Sequence, residues 1–317
     1  MNKLITGLHH ITALASDAQA NVNFYAGVLG LRLIKKTVNF DAPDVYHLYY
    51  GDEKGSPGTI LTFFPYPGIP KGRLGKGQLT ATSFSIPEYS MNYWMKRLNK
   101  FHIHYEGPEE RFNELMIYFE DYDGLGLELV ANNRDERAGF TYGNIPQEHA
   151  IKGFYGMTLA EEGYEKTAKL LVGQMDHALI AEKGNRFRYS ASGKPGDFVD
   201  ILCTPDSLKG LAGYGTVHHV AFATATEATQ QQAREKLLKF GLNVTPVLDR
   251  EYFHSIYFRE SGGVLFEIAT LCPGFTIDES LEHIGESLKL PPWEEKNRDR
   301  IENELPPIQL DIKRYAD

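Results

Sequence analysis

The chain has 317 residues, 42% of them hydrophobic and 24% charged, enough to bury a real core as one large domain or two ordinary ones. A net charge of −9, with acids and bases scattered, excludes the concentrated basic face that a duplex-binding surface needs, so no nucleic-acid partner is expected. No stretch approaches the ~20 apolar residues of a membrane span, "MNKLITGLHH" lacks the apolar run of a signal peptide, and Cys203 and Cys272 are too few for a disulfide framework; a cytoplasmic, reducing location without a membrane partner is the expectation.

The first segment, residues 1–76, opens on the strand "GLHHITAL" (7–14), headed by a histidine pair. In "SDAQANVNFYAGVLGL", Ser16 and Gln19 offer a capping box, Val22, Tyr25 and Leu29 recur at helical spacing, and Gly30 can close the helix. "LRLIKKTV", "DVYHLYY" and "TILTFF" then read as three strands of β-branched and aromatic residues, with "SPG" as the turn before the last. The same order returns over 77–152 as "QLTATSFSI", a helix through "EYSMNYWMKRLNKF", and the strands "ELMIYFE" and "LGLELV". Over 153–214 it returns as "GFYGMTLA", a helix through "YEKTAKLLVG", then "ALIAEKG", "RFRYSAS" and "DFVDILC". Over 215–270 it returns as "TVHHVAFAT", a helix through "EATQQQAREKLLKFG" with Thr224 and Glu227 as a second capping box, then "LNVTPVLD", "HSIYFRE" and "GVLFEIAT". The remainder, 271–317, is charged and proline-punctuated, with one helix near "PWEEKNRDRIENEL"; it reads as a wrapping segment. The fold class is therefore α+β, built from four β-α-β-β-β modules.

Comparing the copies locates the chemistry. At the first-strand place of His10 the others carry Thr80, Gly156 and His219; at the last-strand place of Glu267 they carry Thr62, Glu128 and Asp200. The outer copies thus hold histidines and a glutamate, and the inner copies hold two carboxylates and no imidazole. A lone histidine on an apolar strand is more often a packed core residue than a ligand, but of eleven histidines four stand in two matched pairs, His9-His10 and His218-His219. One imidazole from each pair with Glu267 gives two nitrogens and a carboxylate with coordination positions left open, a set suited to Fe(II) and tolerant of Mn(II). Such a site requires module one to pack against module four, leaving modules two and three as a second, metal-free barrel. Alternation does not choose within a pair: Leu8, His10, Thr12 and Leu14 share one strand face, His9, Ile11 and Ala13 the other.

Through "LHHIT", "VYHLYYGDEKGSPGTILTFFP", "VHHVAFA", "REYFHSIYFRESGGVLFEIAT" and "GFTIDES" the chain resembles the vicinal oxygen chelate superfamily, and within it the extradiol ring-cleaving dioxygenases that act on hydroquinones. The resemblance implies two open barrels of paired modules, with His10, His219 and Glu267 as the ligands of Fe(II). The catechol enzymes of the superfamily take a histidine from module three; Gly156 stands there instead, which points to the hydroquinone group. It also implies that His9, Thr12, His218, Arg250 and Tyr257 surround the metal: His9 or His218 accepting or relaying the phenolic proton, Arg250 and Tyr257 steadying an anionic substrate. The implied partners are a small aromatic diol and O2, with association into a homo-oligomer. Two rivals on the same fold are a glyoxalase-like metal-dependent lyase or isomerase, which draws a fourth ligand where Thr62 stands, and a small-molecule binding or resistance protein, which leaves the histidine pairs unexplained. "KGRLGKGQ" (71–78) lacks the end of a phosphate-binding loop and reads as a linker. His47 and His254 lie near the site strands without matching the repeated ligand place, and His102 and His104 read as ordinary surface residues.

Overall fold

The computed structural model describes residues 3–317. Module one contributes β1 (Gly7–Ala15), α1 (Ala18–Val22), β2 (Arg32–Asn39), β3 (Ala42–Gly51) and β4 (Ile60–Pro65); module two contributes β5 (Gln78–Pro87), α2 (Met91–Lys100), β6 (Tyr105–Arg111), β7 (Glu114–Glu120) and β8 (Gly126–Asn132). Module three contributes β9 (Gly153–Glu161), α3 (Glu165–Gln174), β10 (Ala178–Lys183), β11 (Arg186–Ser190) and β12 (Phe198–Cys203). Module four contributes β13 (Thr216–Thr224), α4 (Glu227–Lys239), β14 (Leu248–Asp249), β15 (Phe253–Arg259) and β16 (Leu265–Pro273), and α5 (Arg298–Glu304) lies in the C-terminal segment.

The strands form two curled eight-stranded sheets. One runs β14-β15-β16-β13-β1-β4-β3-β2, the other β10-β11-β12-β9-β5-β8-β7-β6. Modules one and four therefore share a sheet joined by the antiparallel β1–β13 pair, and modules two and three share the other through β5–β9. Each seam relates two modules by an approximate twofold. One apolar core runs through both sheets, from Leu8 and Phe222 in the first to Phe84, Phe154 and Leu159 in the second, so burial that supplies most of the folding free energy also locks the two half-barrels together.

Several local expectations are corrected. The first helix is capped by Asp17, whose carboxylate accepts from Ala20 N, and not by Ser16, which instead donates to Asp123; α1 then widens into a π-helical turn over Asn23–Val28. Thr226, not Thr224, caps α4, in a box closed with Thr229. Of "LNVTPVLD" only Leu248 and Asp249 are strand. A strand absent from the reading, β6, completes module two; its "YEGPEER" is largely exposed at a sheet edge, where charge discourages pairing with other chains. The register also moves one repeat position: Thr12 pairs with His219, and in the second sheet Ser83 pairs with Gly156, so the counterpart of His10 is Ala81 rather than Thr80.

The C-terminal segment straps across the first sheet. Lys35, fully buried on β2, places Nζ 2.5 Å from both Asp278 and Glu279, and Phe275 packs against Tyr252 and Tyr49. Among the described residues no helix is long and apolar enough to cross a membrane.

Candidate metal centre

The site grows from the seam. β1 is followed in register by β4 (Thr12 opposite Thr62) and β13 by β16 (Ala221 opposite Glu267), so His10, His219 and Glu267 come from the three central strands of one sheet. Their ligand atoms converge: His10 Nε2 is 3.3 Å from His219 Nε2 and 3.3 Å from Glu267 Oε2, which lies 3.0 Å from His219 Nε2. All three residues are buried.

These donors fit a divalent ion. Two ligand atoms set at right angles, each about 2.1 Å from a metal, lie about 3.0 Å apart, close to the separations here. Glu267 Oε2 is buried with no hydrogen-bond partner, an orphaned acceptor that a cation would satisfy. Burial alone would favour the neutral acid, but His10 and His219 beside it hold the Glu267 carboxyl well below its ordinary range. Its other oxygen accepts from Ser255 Oγ.

The structure also separates the roles within each pair. His9 Nδ1 lies 2.9 Å from His10 Nδ1, and His218 Nδ1 lies 2.7 Å from His219 Nδ1. With Nε2 of His10 and His219 turned to the convergence point, the remaining ring proton sits on Nδ1 and donates to the preceding histidine, which fixes tautomer and ring orientation. Burial, and then the neighbouring His10, lowers His9 to about 3, so His9 is a neutral brace, whereas His218, exposed on β13, is lowered by desolvation and then by His219. Phe253 packs edge-on to His9 and tilted against His10, both at 5.0 Å between centroids.

Above the triad lies a cavity of about 460 Å³, within the range of small-molecule sites, whose walls include Leu14, Phe64, Tyr49, Phe253, Tyr257 and Leu265. His218, Arg250 and Tyr257 line it. Arg250 Nε donates to the Tyr257 hydroxyl at 3.2 Å; burial works against the guanidinium charge, but Tyr257 and Asp41 hold it above its usual range. Burial pushes the Tyr257 phenol up, and Glu267 pushes it further. His9 and Thr12 do not reach the cavity. His9 stands behind His10, and Thr12 Oγ1 lies 2.8 Å from Thr62 Oγ1 beneath it.

Sequence reasoning left His47 without a role and passed over Tyr49, Asn39, Asp41 and Tyr66. His47 lines the cavity, bonded to Thr62 and Tyr49, whereas His254 lies outside it beside Glu227. The signal was available: "VYHLYY" places His47 and Tyr49 on one strand face two residues apart. In the second sheet, the places of the triad are filled differently. Glu128 pairs with Arg111 and Asp200 with Arg188 and Arg186, so guanidinium groups neutralise the carboxylates there, where the first sheet has a triad that could hold a metal.

The sequence pattern of the glyoxalase/bleomycin resistance protein/dioxygenase superfamily matches residues 7–268. The chain belongs to that superfamily. Within it the chain is 46% identical over 310 residues to "Putative ring-cleaving dioxygenase MhqO" of Bacillus subtilis, covering 98% of this chain and 99% of that one. It is 35% identical over 307 residues to the chlorohydroquinone/hydroquinone 1,2-dioxygenase of Sphingobium indicum, covering 94% and 95%. A Bacillus subtilis crystal structure described as a dioxygenase of putative assignment superposes with a TM-score of 0.94 at 45% identity, over 98% and 99% of the two chains. These relatives are thus similar to the chain along almost their whole lengths, and the crystal structure shares its fold.

Proposed function

We propose that the chain is an Fe(II)-dependent ring-cleaving dioxygenase that opens a hydroquinone-type aromatic diol, with both atoms of O2 entering the product. The observation that carries this reading is the meeting of His10, His219 and Glu267 at the floor of a cavity walled by aromatic rings. A flat, apolar ring packs between such walls, and the three-residue set leaves positions for it and for O2. Fe(II), or Mn(II), held by these residues would acidify a bound phenol and supply the one-electron chemistry that O2 requires.

The chain's own groups do the rest. His218 accepts from His219 at Nδ1, so its Nε2–H donates into the cavity and holds the phenolate oxygen. Arg250, fixed by Tyr257, presents further N–H donors where negative charge develops. Phe253 and Leu265 exclude water from the ring. The hydroxyl of Thr62, at the place where a lyase or isomerase would draw a fourth ligand, is taken up by Thr12 and His47, which favours the oxygenase.

The test is anaerobic loading with Fe(II) followed by addition of O2 and hydroquinone or catechol. Oxygen uptake matching diol loss, with two labelled atoms in the product from ¹⁸O2, is the expected result. Turnover without oxygen uptake would replace this reading with the lyase, and chelator-insensitive ligand binding without turnover would replace it with a binding protein.

A further inference from the structure

We propose that Tyr49 is a substrate-contacting residue that takes the second, remote hydroxyl of the diol, and that His47 is the positioning residue that sets the direction of its hydrogen bond. The inference rests on the ring-cleaving reading and names how the site would select a hydroquinone.

The approximate twofold of the seam identifies Tyr49. On β15 Tyr257 lies opposite Glu267, and on β3 Tyr49 lies opposite Thr62, the counterpart of Glu267. Two tyrosines therefore enter the cavity from its two halves. Two residues before each stands a group that bonds to the last strand: Ser255 to Glu267 and His47 to Thr62. Where Ser255 braces a residue of the triad, Thr62 is no ligand, so His47 is released for another duty. The Tyr257 hydroxyl is tied to Arg250; the Tyr49 hydroxyl is tied only to His47, 2.8 Å away at Nδ1.

The chain Tyr49–His47–Thr62–Thr12 has contacts of 2.8 Å throughout. A neutral imidazole carries one N–H, so the chain runs in one of two senses. In one, Tyr49 donates to Nδ1, Nε2–H donates to Thr62, Thr62 donates to Thr12, and the Tyr49 oxygen accepts from a substrate O–H. In the other, Thr12 donates to Thr62, Thr62 to Nε2, Nδ1–H to Tyr49, and the phenol O–H donates to a substrate oxygen. Neither sense leaves a charge. One tyrosine can thus either accept from a substrate hydroxyl or donate to a substrate oxygen at the same place.

A diol with its hydroxyls on opposite ring carbons can bring only one to the triad. The other is buried in an apolar cavity and needs a partner. Losing that partner costs a factor on the order of 10 in affinity.

The experiment compares hydroquinone with 4-methylphenol, which keeps one phenol and has no second oxygen to donate or accept, by anaerobic titration of the Fe(II)-loaded protein, with iron content measured for each variant. The wild type is expected to bind hydroquinone about 10-fold more tightly, and Tyr49→Phe to abolish the preference with iron content unchanged. His47→Leu should reduce the preference and His47→Gln, which keeps a donor and an acceptor, should restore it. No preference in the wild type, or a preference that survives Tyr49→Phe, overturns the inference. Absence of oxygen uptake with any diol by the wild type overturns instead the ring-cleaving reading on which it rests.

Discussion

Glu267 has one oxygen turned to the two imidazoles and the other held by Ser255 Oγ. Supporting bonds of this kind orient a ligand and raise its hold on the ion. Ser255→Ala should therefore weaken metal retention about 10–100-fold with the fold intact, read as iron remaining after competition with a graded chelator; retention equal to wild type would remove Ser255 from that role. At this scale the two pairs and the glutamate were legible but the choice within a pair was not, for a physical reason. β1 is buried on both faces nearly end to end, so the polar alternation that tells inside from outside on a half-exposed strand is missing. Likewise His47 and Tyr49 carry no ligand pattern. Their meaning comes from their partners on β4 and from the register between β3 and β4, which no local window contains.

Most strands were legible element by element because they pack a continuous apolar face, although β10 was legible from its residue types alone and lies largely exposed. β6 was not: "YEGPEER" has almost nothing to bury and is a strand only because β7 offers it a ladder. The helix starts were displaced for a similar reason, since several Ser, Thr and Asp side chains compete for one cap and tertiary partners decide, as Asp123 does by taking Ser16. The C-terminal strap shows the same dependence on distant charge. Lys35 has no solvent contact and is matched by Asp278 and Glu279. Removing one partner of a buried pair leaves the others uncompensated, so Lys35→Met should cost about 3 kcal/mol of unfolding free energy, measured by urea denaturation. A cost no larger than that of an exposed lysine would mean that the strap is not anchored there.

At the scale of the molecule, the two sheets also meet at a pair of buried carboxylates. Glu161 at the end of β9 and Glu260 after β15 are both buried, and each has Oε2 2.7 Å from Thr167 Oγ1. One hydroxyl proton cannot serve two carboxylates. Glu260 accepts from Gly262 N and Val264 N, and burial and then the neighbouring Glu260 raise Glu161 to about 8. Gly262 packs directly against this carboxyl: a Cβ on it would lie 2.6 Å from Glu161 Cδ and would push that side chain aside. Because the folded-state value is raised above the ordinary 4.5, the folded chain binds the proton more tightly than the unfolded one. The stabilisation is present at low pH and is lost as pH rises through about 8. Glu161→Gln, a neutral mimic of the protonated acid, should therefore gain stability relative to wild type between pH 6 and pH 9 in urea titrations; parallel pH profiles would exclude a proton held at Glu161. The pairing of modules was readable from the repeats, yet this junction was not, since it joins residues that no repeat position relates. The same pairing has a consequence for biosynthesis. Modules two and three are contiguous and can close their sheet as soon as residue 203 has been made, whereas β1 waits for β13 with its backbone edge open. Until β13, which begins at residue 216 of 317, leaves the ribosome, β1 is paired on one side by β4 and presents an open backbone edge on the other, the kind of edge that chaperones shield and that aggregation exploits.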